Sequence, residues 1–430
     1  MRDRIVAGID IGTTKIVTII AALKEDAPLH VLGVATVESK GIRKGLVVDI
    51  EDAIAAISPA LEGAERMAGT SVTSAFVSIG GSHISSQNSH GVVAVADPEK
   101  EITVTDVQRV IDAAKAVSLP SSREILHVLP RGFIVDGQEG IADPVGMTGV
   151  RLEVETHLVT GGSTGIKNLH KCVEELGVHV SGMVFGGLAS AQAVLSDTEK
   201  ELGVTLVDIG GGTTDVAIYV EGALSYSSVI PIGAKNITSD LAVGLRVSLE
   251  SSEKIKLLLS QKHKIPALPE MEGRPKQKLE DEIDLSMLSL PEELKKVSRK
   301  TLIEGIIKPR LNEIFTMVGL EIKKSGFGGM TPSGVVVCGG GAETVGIAEA
   351  ARRNLAMPVR IGIPTNISGL VDEILTPAYA ASVGLVQYGA KMSPQTESTS
   401  LLGSMGKIGD KFPIKGIFGK ILNTLKPFLP

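Results

Sequence analysis

Apolar residues along this chain form two paired runs, and a glycine-rich turn joins each pair. Residues 4–20 (RIVAGIDIGTTKIVTII) have the pattern of a strand, a tight turn and a second strand, and residues 203–220 (GVTLVDIGGGTTDVAIYV) repeat it. Two similar hairpins separated by about half of the chain predict a duplicated α/β unit. Apolar residues with helical spacing predict helices in four further segments, 51–68, 104–117, 165–177 and 186–197.

The region before the second hairpin does not fit a simple duplication. Residues 83–160 combine a helical segment with several strand-like runs, which predicts a self-contained inserted α+β domain. Residues 261–300 are charge-rich and interrupted by proline, so we expect a second, more mobile insertion there. Residues 335–343 (VVVCGGGAE) predict an apolar strand that runs into glycines. Residues 391–410 have the Ser, Thr and Gly content of a linker.

Composition narrows the class of protein. A chain of 430 residues is too long for one ordinary core, so we expect about two to four domains. Aromatic residues make up 3% of the chain and Trp is absent, which is typical of buried aliphatic strands rather than of a nucleic-acid binder that stacks bases. The net charge of -6 also argues against nucleic-acid binding, because no basic excess could neutralise phosphates.

The N-terminus and the cysteines indicate a cytosolic protein. The chain starts with charged residues and then a strand-like run, so we expect no signal peptide. No apolar run approaches the ~20 residues of a membrane-spanning helix, so any membrane contact is expected to be peripheral. Cys172 and Cys338 lie far apart and outside metal-ligand spacing, and we expect both to be buried thiols in a reducing compartment.

The two glycine-rich turns have the residue types of a phosphate-binding site. Glycine lets backbone N–H groups approach phosphate oxygens, threonine and lysine add donors, and Asp10 and Asp208 are suited to hold a hydrated Mg²⁺. Either hairpin alone would more often be only a turn, but two matched copies favour phosphate binding. The candidate residues are Asp10, Gly12, Thr13, Thr14 and Lys15 in the first turn, and Asp208, Gly210, Gly211, Gly212 and Thr213 in the second.

The whole pattern resembles the superfamily of actin, sugar kinases and DnaK-type chaperones, over about residues 4–390. The resemblance implies a ribonuclease-H-like duplicated, two-lobe α/β fold that clamps ATP and Mg²⁺ between its hairpins. It implies further nucleotide contacts from Gly339, Gly340, Gly341, Ala342, Gly233, Glu253 and Lys256. Residues 189–194 and 378–384 match the helices that connect the lobes, and Gln192 stands where actin has a water-orienting glutamine, which makes it the catalytic candidate.

Two of these assignments have simpler alternatives. Glu253 and Lys256 are three residues apart on a predicted helix, so they share one face and could be only an exposed salt bridge. Gln192 could be a polar residue satisfied locally on its helix. Small residues in the connecting helices are consistent with close helix packing and a hinge.

Within the superfamily, the chain looks most like the FtsA family of actin-like bacterial division proteins. The insertion at 83–160 resembles the domain that replaces one of actin's subdomains there, and GIRKGLVVDIEDA, LGVTLVDIGGGTTDVAIY and TLIEGIIKPRLNEI resemble the family's sequence. The resemblance implies a protein that binds ATP with at most weak ATPase activity and polymerises with itself at the cytoplasmic face of the membrane. It also implies tethering of FtsZ filaments through the FtsZ C-terminal peptide by residues 234–309, and recruitment of later division proteins by the inserted domain.

Two alternatives from the same superfamily stay open. A PilM-like pilus-assembly scaffold would share the insertion but would bind a peptide from a membrane partner. A phosphotransferase would need a general-base aspartate in a deep substrate pocket, which cannot be assigned securely. The domains implied are 1–82 with 161–202 and 365–390 (first large subdomain), 83–160 (insertion), 203–233 with 310–364 (second large subdomain), 234–309 (second small subdomain), 391–410 (linker) and 411–430 (amphipathic helix).

The last twenty residues or so have the pattern of a membrane-surface helix. On helical geometry of about 100° per residue, the apolar side chains fall within an arc of about 140° and the lysines lie outside it. A terminal helix docked on the core is the alternative, but the linker before it and the cationic polar face favour anionic lipids. The membrane-binding residues predicted are Ile414, Lys415, Ile417, Phe418, Lys420, Ile421, Leu422, Leu425, Lys426, Phe428 and Leu429.

Overall fold

A computed structural model gives the fold of most of the chain. The predicted linker after Met392 and the predicted tail helix lie outside the described residues, as does much of the charged segment within 261–300. The residues described are 4–23, 27–96, 101–263, 281–292 and 294–392.

The described strands and helices alternate along the chain. The strands, numbered in chain order, are β1 (Arg4–Ile11), β2 (Lys15–Leu23), β3 (Leu29–Glu38), β4 (Ile42–Arg43), β5 (Leu46–Val47), β6 (Ser74–Ile79), β7 (Ser85–Ala94), β8 (Arg123–Val135), β9 (Gln138–Ile141), β10 (Arg151–Gly162), β11 (His179–Phe185), β12 (Val204–Ile209), β13 (Thr214–Val220), β14 (Ala223–Ile230), β15 (Glu282–Asp284), β16 (Lys296–Ser298), β17 (Val335–Cys338), β18 (Val359–Ile361) and β19 (Ile367–Gly369). The α-helices are α1 (Ile50–Ala68), α2 (Val104–Lys115), α3 (Ser163–Glu174), α4 (Gly186–Val194), α5 (Asp197–Leu202), α6 (Ala234–Leu245), α7 (Leu249–His263), α8 (Lys308–Ser325), α9 (Ile347–Leu355) and α10 (Ala380–Met392). Short 3-10 helices cover Ser286–Leu288, Gly340–Glu343 and Pro377–Tyr379, and a π-helix covers Thr301–Ile307.

The two largest sheets have the same plan. The first has the order β11-β6-β1-β2-β3-β19, and the second has the order β14-β13-β12-β17-β18. In each, three consecutive antiparallel strands begin with the predicted hairpin, and a parallel strand pairs with the first of them. The predicted duplicated α/β fold is therefore confirmed. Each sheet with its helices forms one lobe.

Helices approach the sheets closely where glycine and alanine leave little or no side chain between the helix and the strand. α1 lies on β3 at Gly33, where an added Cβ would overlap the carbonyl oxygen of Ala64. The helix begins at Asp49, whose side chain accepts a hydrogen bond from the Asp52 amide, and it ends at Gly69 in the left-handed region. Strands covered in this way are apolar nearly throughout, and every residue of β13 is buried.

Residues of the predicted insertion form a separate sheet in the order β7-β10-β8-β9, covered by α2. Thr103 and Asp106 cap the start of α2 reciprocally. Gly91 lets this helix approach β7, since an added Cβ would overlap the Val110 carbonyl oxygen. A small apolar core of its own, which includes Val110 and Leu152, fills the space between the sheet and the helix. The predicted inserted α+β domain is present.

Two helices, α4 and α10, connect the lobes. α4 leaves the first sheet after β11 and packs on β12 and β13, whereas α10 packs on β1 and β2. They cross where an added Cβ at Gly384 would overlap the carbonyl oxygen of Ala189. The predicted single helix over 186–197 is wrong: α4 ends at Val194, because the Ser196 hydroxyl caps α5 by accepting from the Glu199 amide.

Candidate functional site

A cavity of about 280 Å³ lies between the two lobes, close to the lower end of the usual range for small-molecule sites, about 300 to 1,000 Å³. Both glycine-rich turns line it. The predicted residues in its wall are Asp10, Gly12, Thr13, Thr14, Lys15, Asp208, Gly210, Gly211, Thr213, Glu253, Lys256, Gly339, Gly340 and Gly341. Four of the predicted residues do not line it: Gly212, Gly233, Ala342 and Gln192.

The turns are closed by the same hydrogen bond and touch each other. The Gly12 amide donates to the Lys15 carbonyl at 3.0 Å, and the Gly210 amide donates to the Thr213 carbonyl at 2.9 Å. Gly211 faces the other turn, where an added Cβ would overlap the hydroxyl of Thr14. Glycine is therefore required at 211 for the two lobes to meet at the cavity.

Gly212 and Gly233 support the turns from outside the cavity wall. An added Cβ on Gly212 would lie 2.9 Å from the Thr13 methyl carbon. One on Gly233 would lie 2.5 Å from the Gly210 carbonyl oxygen. The amide of Ala234 donates to that same oxygen at 2.9 Å. Both glycines therefore allow close backbone packing of the turns, and their direct contact with a nucleotide stays a prediction.

Three aspartates from the two hairpins lie near one end of the cavity. Burial raises the pKa of Asp208 to about 6, and the nearby charge of Asp10 adds to the effect while hydrogen bonding from Ser190 opposes it. Burial, followed by the charges of Asp208 and Asp10, raises the pKa of Asp215 well above its usual value. Oδ1 of Asp215 is buried and has no hydrogen-bond partner among the described residues. This concentration of carboxylates favours a cation.

Lys15 supplies positive charge at the same end. Burial lowers the pKa of its ammonium group to about 8, against the attraction of Asp10, Glu343 and Asp208. Its Nζ lies 3.4 Å from the centre of the Tyr379 ring, which is a cation–π distance. Lys235 of the second lobe donates from Nζ to the Thr13 carbonyl at 3.0 Å, so a lysine of one lobe holds the turn of the other.

α7 lines another part of the cavity, and the third glycine turn lies against Asp208, where an added Cβ on Gly339 would overlap Oδ1. Lys256 Nζ donates to Glu253 Oε2 at 2.7 Å, and Thr238 donates to the same oxygen at 2.6 Å. Glu253 and Lys256 therefore share one helix face, as their spacing predicted. Gly340 has open space where a Cβ would point. Ala342 belongs to the apolar core of the second lobe instead of the cavity wall.

Gln192 is not placed with the cavity. Its Oε1 accepts a hydrogen bond from Lys391 Nζ at 2.6 Å on an exposed side of the connecting helices. The reason is helical geometry: Ser190 faces Asp208, and a residue two positions later points about 200° away. The amide of Gln192 is therefore satisfied locally here, and the water-orienting role stays a prediction.

Sequence reasoning missed several polar residues of the site. The hydroxyl of Ser78 donates to Asp10 Oδ1 at 2.7 Å, and that of Ser382 donates to Asp10 Oδ2 at 2.7 Å. Ser190 donates to Asp208. No local motif marks these serines, because only the fold brings β6 and the connecting helices to the turns. Asp215, the second residue of β13, also lines the cavity and was not among the predicted residues, although it lies directly after the second glycine-rich turn.

No three His, Cys, Asp or Glu side chains form a metal-binding group within the described parts of the chain. A cation bound here would therefore take its remaining ligands from phosphate and water, which is the usual environment of Mg²⁺. Nor is any helix of the described residues long and apolar enough to cross a membrane.

Solved structures with the same fold include the PilM-PilN type IV pilus biogenesis complex. It matches with a TM-score of 0.63 at 12% identity, covering 89% of this chain and 98% of that one. The ethanolamine utilization protein EutJ from Carboxydothermus hydrogenoformans matches with a TM-score of 0.52 at 17% identity, covering 90% and 91%. At these identities the likeness shows the fold alone, and the fold is actin-like with an inserted small domain.

Sequence relatives show the family. Residues 81–160 match the family model described as "SHS2 domain inserted in FTSA", and residues 205–384 match "Cell division protein FtsA". The chain is 40% identical to the cell division protein FtsA of Pseudomonas aeruginosa over 93% of both chains. It is 39% identical to that of Borreliella burgdorferi over 98% of this chain and 99% of the relative. It is 36% identical to that of Escherichia coli K12 over 90% of both. The chain belongs to the FtsA family of cell division proteins.

Proposed function

We propose that this division protein binds Mg-ATP in the cavity between its lobes. The observation that carries the proposal is the contact between two matched glycine turns, Gly211 against Thr14, directly beside a group of buried carboxylates. The turns offer backbone amides and hydroxyls to the phosphates. Lys15 offsets the charge of the terminal phosphate.

The residues present fit a magnesium ion. Asp10 and Asp208 are the carboxylates that would hold it through water, and a cation would compensate both for the burial that raises the pKa of Asp208 and for the nearby charge of Asp10. The unpartnered Oδ1 of Asp215 adds one buried acceptor nearby. Magnesium supplies charge neutralisation of the phosphates, and the carboxylates orient its water ligands.

The nucleoside would occupy the part of the cavity that α7 and Gly340 line. Gly340 leaves room beside the third turn, and Glu253 and Lys256 offer an acceptor and a donor to the ribose and base. We propose at most weak ATP hydrolysis. Gln192, the catalytic candidate, would have to leave its hydrogen bond with Lys391 to orient the attacking water.

We further propose that bound ATP controls a membrane scaffold. In this proposal the chain polymerises at the cytoplasmic face of the membrane at the division site, and residues 234–309 tether FtsZ through its C-terminal peptide. Residues 83–160 recruit later division proteins, and residues 411–430 bind anionic lipid. Family membership supports the division role, and the amphipathic sequence pattern of 414–429 supports the lipid contact. A PilM-like scaffold and a phosphotransferase are the competing functions.

The ATP site is tested by Gly210→Asp. This change puts a side chain and a negative charge where phosphate must approach, so ATP binding measured by calorimetry should be abolished. Gly329→Asp is the matched control, because that glycine is exposed and has open space at its Cβ position. Unchanged ATP affinity in a folded Gly210→Asp protein would refute the site.

Lipid binding is tested by vesicle sedimentation of the full chain. Phe418→Glu or Ile421→Glu should release the protein from anionic vesicles and leave ATP binding intact. Each apolar side chain contributes roughly 1.5–3 kcal/mol at full burial, against about 1 kcal/mol for each lysine. Asn423→Glu, on the polar side of the same pattern, should have a much smaller effect. Binding that survives both apolar changes would favour the PilM-like function, in which a protein partner holds the chain at the membrane.

A further inference from the structure

The two connecting helices each carry one serine that reaches a carboxylate of the cavity. Ser190 of α4 donates its hydroxyl hydrogen to Asp208 Oδ2, and Ser382 of α10 donates to Asp10 Oδ2 at 2.7 Å. Both serines are buried. Each helix packs on the lobe whose aspartate it holds, α4 on the second sheet and α10 on the first.

The serines lie next to the point where the helices cross. Ala189, which precedes Ser190, contacts Gly384, which is two residues after Ser382. The helices can cross this closely because Gly384 has no side chain. A methyl group there would already overlap the backbone of Ala189. Both hydroxyls are therefore carried by helices whose separation is set at this close contact.

The two carboxylates need to be held. Asp10 and Asp208 both line the cavity, and their two like charges repel each other when both are ionised. Repulsion would turn them apart in the absence of a partner. A serine hydroxyl has one hydrogen to donate, so it occupies one lone pair and leaves the other acceptor positions of the carboxylate available.

We propose that Ser190 and Ser382 are positioning residues that hold Asp208 and Asp10 in the orientation required by a hydrated magnesium ion on the phosphates. The inference rests on the proposed Mg-ATP site and extends it to two residues outside the glycine turns. Ser78 holds the second oxygen of Asp10, so the aspartate of the first turn has two hydroxyl partners and that of the second turn has one. Loss of Ser190 should therefore have the larger effect.

The test compares ATP affinity with magnesium and with EDTA in the full chain carrying Ser190→Ala or Ser382→Ala. In magnesium the affinity should fall about tenfold for Ser190→Ala and less for Ser382→Ala, since hydrogen bonds to charged groups are the stronger ones. In EDTA both affinities should stay within about twofold of wild type, because phosphate contacts with the turns persist. Ser89→Ala is the control: its hydroxyl donates to the Ala114 carbonyl in the inserted domain, and it should change neither affinity.

Every other outcome contradicts either the serine assignment or the proposed ATP site. Equal weakening with and without magnesium would show that the hydroxyls only support the fold, and unchanged magnesium dependence would show that they do not orient the carboxylates. Either result overturns the serine assignment while the wild-type ATP site stands. Failure of the wild-type chain to bind ATP would overturn the proposed function and this inference together. Removing a hydroxyl from a helix interior leaves a good helix former, and thermal unfolding of each variant checks that it is folded.

Discussion

His157 lies where the inserted domain meets the second lobe, and both of its ring nitrogens are used. Nδ1 is 2.6 Å from Asn88 Oδ1, so it donates, and Nε2 is 2.8 Å from Ser227 Oγ, from which it accepts. These roles are those of a neutral ring, which burial favours over the charged form. Burial lowers its pKa to about 3, and the charge of Arg131 contributes to the shift. Protonation would place a second donor against Ser227 in a buried position.

The stability of the protein should therefore depend on pH through this histidine. The unfolded chain takes up a proton below about pH 6.5, whereas the folded ring resists until about pH 3. The contribution of His157 to the free energy of unfolding is fully present above pH 6.5. It falls by about 2 kcal/mol between pH 7 and pH 5. His157→Gln should remove about this much of the pH dependence of the unfolding free energy measured with urea.

A second buried histidine also makes the stability of the protein depend on pH. His127 is also buried, with a pKa lowered to about 4, and accepts from the Phe185 amide at 3.0 Å. Part of the pH dependence should therefore remain in His157→Gln. An unchanged slope between pH 7 and pH 5 would show that the ring of His157 is not kept neutral by the fold.

Among single residues, the site residues that could be predicted from the sequence are those whose partners lie close by in the chain. The glycines and aspartates of the turns act within a few positions of one another, so their spacing indicated a site. Ser190 and Ser382 act on aspartates that are 18 and 372 positions away, and no spacing rule connects them. Gln192 shows a related limit: its neighbours indicated the helix, but not which face of the helix meets the cavity.

Among the secondary-structure elements, the hairpins were predictable because antiparallel neighbours with a short turn pair locally. Their duplication also indicated two lobes. The order of the strands was not predictable, because β6 and β17 join β1 and β12 only through parallel pairing across long connections. The apolar periodicity did not predict the break between α4 and α5. Apolar residues continue through Val194 and Leu195, although Ser196 caps a new helix.

The inserted sheet is held against β14 by polar contacts. Ser86 donates to the Ser227 carbonyl at 2.7 Å. Arg131 donates from Nε to Ser225 Oγ at 3.1 Å, and its guanidinium carbon lies 5.4 Å from the centre of the Phe327 ring. Arg131 also pairs with Glu155. One side chain of the inserted domain therefore contacts two different elements of the second lobe.

Arg131→Ala should loosen this contact without unfolding either partner. We expect hydrogen exchange in β7 and β14 to become faster by an amount corresponding to about 1–2 kcal/mol, for the lost hydrogen bond and cation–π contact. Arg151→Ala is the control, because this exposed arginine pairs with Glu153 of its own strand and not with the second lobe. Equal exchange in the two variants would mean that Arg131 does not hold the domains together.

For the whole molecule, Mg-ATP should act as a link between the lobes. A ligand that binds only the folded protein stabilises it by about 2.7 kcal/mol at a hundred times its dissociation constant. Because both turns line the same cavity, the two lobes should gain this stability together. Thermal unfolding should show one transition that moves up with Mg-ATP and returns when EDTA and a nucleotide-hydrolysing enzyme remove it. A shift confined to one lobe, seen by hydrogen exchange, would contradict a shared site.

Besides the contact between the glycine-rich turns, two further contacts hold the lobes, and they have a geometric consequence. One is the crossing of α4 and α10 at Ala189 and Gly384, and the other is the contact of the inserted sheet with β14. Two fixed points define one line, so a rotation about that line is the rigid movement that disturbs neither contact. The displacement of any group then grows with its distance from the line. If the second point is released, the lobes can turn about any axis through the helix crossing, and the direction of their movement is no longer specified.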